Sequence, residues 1–128
     1  MTTTWAEGRF FDLWMIVHFL SGLSGGLSNV FFGLSPLRVY ALGTALLIVW
    51  EIAEYARGIR ESWENRVLDL VVGVAGIAVA LAAAARLDAA GEYVAFGAST
   101  VVFMLGTVRG WLAFRARLRR AAAASGAR

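Results

Sequence analysis

Residues 50–76, WEIAEYARGIRESWENRVLDLVVGVAG, decide how the rest of the chain is read. They set Glu51, Glu54, Glu61, Glu64, Asn65 and Asp69 between two runs apolar enough to cross a bilayer. Ionisable groups at or inside a membrane edge are costly, so their default reading is functional.

The composition around this stretch is that of a membrane protein. Of 128 residues 59% are hydrophobic, and mean hydropathy is +0.67, against roughly 45–50% apolar usage in soluble domains. Net charge is +3 and all 12 basic residues are arginine. Without lysine there is no Schiff-base chemistry; without cysteine there is no disulfide, thiolate ligand or thiol nucleophile. The arginines sit in connectors and a tail beside apolar runs, which fits anionic lipid headgroups better than nucleic acid.

Working outward, residues 1–9 lack the basic start and small-residue exit of a cleaved leader, so the first apolar run is expected to stay in place. Four spans are expected, at about 10–34, 37–57, 67–87 and 93–114, followed by a basic, Ala-rich tail over 115–128 that is expected to fray. Each run is close to the ~20 residues that cross a ~30 Å hydrocarbon core. The Gly/Ser-rich centre of the first run carries Gly22 and Gly26 at the small-x-x-x-small spacing of packed helices. It lacks the lysine and the preceding strand of a phosphate-binding loop. The fold expected is all-α: four antiparallel transmembrane helices with both termini cytoplasmic. With that orientation nine arginines fall inside and only Arg38 and Arg86 outside, as the positive-inside rule requires.

Under this topology the polar side chains share a depth. His18 lies about seven residues, roughly 10 Å, inside the cytoplasmic end of the first span. Glu51 is at similar depth in the second, Glu54 and Asp69 are nearer the surface, and Arg109 is close to the end of the fourth. Helical spacing groups Glu51, Glu54, Tyr55 and Gly58 on one face, and Glu61, Asn65, Asp69, Gly73 and Gly76 on another. His18, Ser21, Gly22 and Gly25 make a third stripe. The three are expected to enclose a small polar pocket open to the cytoplasm.

These residues also resemble a known group. His18-Phe19 in the first span, Trp50-Glu51 and Glu54-Tyr55 ending the second, then Asn65, Asp69, Gly73 and Gly76, look like VanZ-like membrane proteins and the related YjdF-like family. The likeness covers residues 15–80. Glu54 stands where the VanZ-like pattern usually has glutamine, which brings the acidic pair closer to the YjdF-like form. The resemblance implies a small multispan protein with a Glu-rich helix end, an arginine connector and an Asp/Asn/Gly helix.

Several chemistries compete for the polar layer. Its carboxylates can pair with Arg57, Arg60, Arg66 and Arg109 in a structural network that neutralises each buried charge. They can equally shape a pocket for a phosphate or headgroup. A metal site is the thinnest reading, with one histidine and no cysteine, and no metal or cofactor is assigned. Trp5, Trp14, Trp50, Trp63 and Trp111 read as an interfacial aromatic belt. The expected function is binding of a lipid or lipid-linked polar headgroup through His18, Glu51, Glu54, Arg60, Glu61, Asn65, Asp69 and Arg109. The alternative is a non-catalytic accessory subunit of a membrane complex. A small proton-coupled transporter or a metal-dependent membrane hydrolase comes third. Partners would be membrane lipids and other membrane proteins, not nucleic acid, and the location a bacterial inner membrane.

Overall fold

The computed structural model describes residues 12–59 and 62–126. Asp12 starts the first helix: its Oδ1 accepts the backbone N–H groups of Trp14 and Met15 at 2.9 and 3.3 Å, occupying two donors that a helix N-terminus leaves open. Helix α1 then runs Trp14–Leu27, breaks at Ser28, and continues as the single turn α2, Asn29–Phe32. Gly33, in the left-handed region at φ 60°, ends it. Asn29 fixes the reversal that follows, accepting from the Leu34 N–H at 2.8 Å and donating to the Leu34 carbonyl at 3.1 Å.

Helix α3, Pro36–Ala56, opens with proline in its first turn, where the missing N–H costs nothing. It closes in a Schellman motif. Gly58 at φ 77° donates to the Tyr55 carbonyl, and Ile59 to that of Glu54. Helix α4, Trp63–Ala84, is capped by Ser62, which accepts from the Asn65 N–H at 3.1 Å. Helix α5 runs Ala89–Gly126 after Asp88 accepts from the Gly91 N–H. The tail expected to fray is therefore a helical continuation of the last span. At 38 residues, α5 is about 57 Å long by its rise per residue.

Four segments are long and apolar enough to cross a membrane: Trp14–Phe32, Pro36–Ala56, Trp63–Ala84 and Ala89–Ala124. There is no strand among the described residues. Large apolar side chains such as Leu37, Leu46, Ile52, Val94 and Leu105 face outward, a surface that a membrane would cover.

Consecutive spans alternate in direction, but the tightest pair, α1 with α4, runs parallel. A Cβ added at Gly22 would strike the Gly73 carbonyl, and one at Gly76 would strike the Phe19 carbonyl. Further along, Gly26 faces Ala80. Backbone therefore lies on backbone, which only glycine permits. Helix α3 packs on α4 and α5 on α1, while α3 and α5 are not a packed pair. Leu47, Ile77 and Val39 make the small apolar core between α3 and α4.

Replacing Gly22 or Gly76 by alanine is expected to destabilise the bundle by at least the ~1–3 kcal/mol of an overpacked core. Gly25, on the same helix as Gly22 but with open space where its Cβ would be, tolerates alanine. Thermal unfolding of the purified protein in detergent separates the two cases.

Candidate functional site

Three helices bring the polar layer together at the end of the bundle where α1 and α4 begin and α3 ends. His18 lies one turn before Gly22, and Asp69 one turn before Gly73. Because α1 and α4 run parallel with those glycines in contact, the two side chains meet at one level. Glu51 and Glu54 come down to the same level on the closing turns of α3.

His18 is the hub. Its Nδ1 is 2.9 Å from the Trp14 carbonyl and 3.7 Å from Asp69 Oδ1, and its Nε2 is 3.1 Å from Glu51 Oε1. The other oxygen of Glu51 is 3.6 Å from Arg66 Nε. Asn65 Nδ2 donates to Asp69 Oδ2 at 3.0 Å, and both residues are 1% exposed. Glu54, also buried, offers an oxygen within 4.8 Å of donor atoms of His18 and Glu51. A carbonyl accepts only, so Nδ1 carries the proton towards Trp14. Nε2 then faces Glu51 either as a second N–H, which makes the ring cationic, or as a lone pair sharing a cation with the carboxylate. With a cationic ring, Glu51 and Asp69 are balanced by His18 and Arg66, the condition under which buried charge is tolerated.

Of the expected site residues, His18, Glu51, Glu54, Asn65 and Asp69 do come together. Arg109 does not. It is exposed, one position from the buried Gly110 and off the face by which α5 meets α1. Tyr55, expected on the face of Glu51 and Glu54, is likewise turned outward, its ring 5.2 Å beneath the Arg66 guanidinium. Arg60 and Glu61 lie outside the described residues, as does Trp5.

Beside the cluster is a cleft, open because α3 and α5 leave a gap across α1. Its inner arm, about 190 Å³, is lined by Gly22, Gly25, Gly43, Leu46, Leu47 and Phe103 among others and is almost wholly apolar. Its outer basin, about 390 Å³, is lined by Glu54, Arg57, Ile59, Trp111 and Phe114. Trp14, His18, Trp50 and Thr107 belong to both. Three tryptophans expected in an aromatic belt thus wall a cavity, and Arg57 joins them. Sequence reasoning missed Thr107, whose place on the face of Phe103, Gly106 and Gly110 was the available signal. Glu51 also borders a third groove of about 310 Å³ between α3 and α4, with Trp63 and Arg66. Asn65 and Asp69 line none of these three.

Glu51→Gln is expected to cost about 3–5 kcal/mol, the loss from breaking a buried pair on one side. Adding Arg66→Gln should restore more than about 1 kcal/mol, since residues in one ion-pair network couple. Equilibrium unfolding of both variants in micelles checks this, and strictly additive losses would dissolve the proposed network. No protein-family model, no curated protein and no solved structure matches the chain.

Proposed function

We propose that the chain is a multi-pass bacterial inner-membrane protein that binds a lipid or lipid-linked molecule in the cleft between α3 and α5. The apolar part of the ligand would lie over Gly22, Gly25 and Gly43, and its polar headgroup in the basin of His18, Glu54 and Arg57. One observation carries the reading: an apolar arm and a polar basin share walls and open side by side, matching the two halves of an amphiphile. Measured along α3 from Gly43 to Arg57, the cleft is about 21 Å long, somewhat more than one leaflet's share of a ~30 Å core. Arg57, Arg66, Arg115 and Arg117 gather at the basin end while Arg38 and Arg86 lie at the other, which supports placing the basin at the cytoplasmic face. A VanZ-like kinship is part of the same proposal and rests on the residues that form the cluster.

The sealed half of the cluster favours a structural role beside the binding one. Asn65 and Asp69 line none of the three cavities described above and are each only 1% exposed. On this reading they hold α4 against His18, and the ligand meets Glu54, Arg57 and the tryptophans.

Because a Cβ at Gly25 meets open space, Gly25→Phe fills the apolar arm without disturbing α1 against α4. In nanodiscs containing a photoactivatable phosphatidylglycerol, it should lower crosslinking to cleft residues several-fold at unchanged melting temperature. Arg57→Gln should reduce the preference for phosphatidylglycerol over phosphatidylcholine. Unchanged crosslinking and lipid preference in both variants would leave the scaffold reading in place.

A further inference from the structure

We propose that His18 Nε2, Glu51 and Glu54 form a binding site for one divalent first-row metal ion at the inner wall of the basin. The three residues sit on two helices, all are buried, and their donor atoms lie within 4.8 Å of one another. Ligand atoms around a tetrahedral ion at ~2.1 Å are about 3.4 Å apart; His18 Nε2 and Glu51 Oε1, at 3.1 Å, already stand near that spacing, and a rotation of the Glu54 side chain brings the third atom in. The ligand set that looked thin along the sequence is gathered in space by the i, i+3 spacing of Glu51 and Glu54 on α3 and by His18 of α1 at the same level.

Proximity of acids alone would not carry this. The independent observation is the placement of the imidazole. Nε2 of His18 is fully buried and lies 3.1 Å from Glu51 Oε1, yet it makes no hydrogen bond, and neither oxygen of Glu51 makes one. The opposite ring nitrogen is already committed to the Trp14 carbonyl at 2.9 Å. A backbone carbonyl on one imidazole nitrogen, with the other nitrogen buried and facing carboxylates, is the arrangement that metal-ligating histidines adopt. Outer support is present too. Asp69, held by Asn65, lies 3.7 Å from Nδ1, and Arg66 approaches Glu51 Oε2 while leaving Oε1 towards the histidine.

One imidazole and two carboxylates suit zinc, manganese or iron rather than magnesium or calcium, whose shells are built from oxygen. Three protein ligands leave a fourth position, and His18 and Glu54 both line the basin, so an anionic group or water can reach it. Metal binding here does not require the lipid reading. The competing account of the same atoms is a proton, as an imidazolium–carboxylate pair.

The untagged full-length protein, purified in detergent and equilibrated with zinc or manganese chloride, decides between them. Expected are one bound ion per chain by elemental analysis, and affinity at least tenfold weaker in Glu54→Gln. The X-ray absorption spectrum of the zinc form should show one imidazole. The chain contains a single histidine, so that signature assigns the site even if variants fail to fold. No ion retained by folded protein, or zinc in an all-oxygen shell, overturns the proposal. Lipid crosslinking that Gly25→Phe and Arg57→Gln leave unchanged, with metal binding intact, would instead count against the lipid reading alone.

Discussion

The contact on which the rest of the structure depends is the backbone approach of α1 and α4 at Gly22, Gly73 and Gly76. In a membrane there is no hydrophobic force to press helices together, so association rests on close packing and on hydrogen bonds between helices. Removing side chains at three positions lets two helices meet at the distance of their own backbones. Because they run parallel, the contact also fixes register. One turn before each glycine stands a polar residue, His18 on one helix and Asp69 on the other, and the glycine pair brings them level. Packing and polarity are thus a single feature: alanine at the crossing would part the charged pair as well as the backbones.

Once that register is set, the electrostatics follow from confinement. Glu51 is 7% exposed, so positive charge within the bundle has to offset its own. Arg66 stands on one side of it and His18 on the other. Arg66 can serve because Ser62 starts α4 one turn earlier and Gly58 ends α3 cleanly, which places α4's first arginine beside α3's buried glutamate. The short charged connector is therefore structural. It sets the phase between two helices whose carboxylates and guanidinium have to meet.

Depth was legible in the sequence, and azimuth only where a stripe of polar residues and glycines marked it. Counting residues from the helix ends put His18, Glu51, Glu54 and Asp69 at one level, and stepping by four placed Asn65, Asp69 and Gly73 on one face of α4. The same counting put Arg109 in the layer, because depth says nothing about which way a side chain points. Its helix meets α1 through Phe103, Gly106, Thr107 and Gly110, and a residue next to Gly110 is rotated by about 100° out of that face. Tyr55 fails for the same reason beside Glu54. The cleft was beyond reach, since it exists because α3 and α5 do not pack on each other, and hydropathy records which residues are apolar but not which helices stay apart. For the same reason the sequence shows the tryptophans as a belt and not that three of them also wall a cavity.

The length of α5 completes the picture. A helix of about 57 Å overruns a ~30 Å core, so its arginine-rich end must stand beyond the bilayer if its apolar part lies within. That end does not leave the basin behind. Arg115 lies 6.0 Å from the Trp111 ring and Arg117 5.8 Å from the Phe114 ring, and both rings line the basin. Cations held over aromatic faces at a cavity's edge raise the local potential for an anion before it reaches Arg57. Inside, the order of charge reverses, with Glu54 behind the arginines and Glu51 beyond it against His18. On the proposed lipid reading, a basin positive at its mouth and acidic at its floor would draw in a negatively charged headgroup yet offer it no cation at the floor. A cation between the two would reconcile them, which ties the ion inferred at His18 to the cleft that opens onto it.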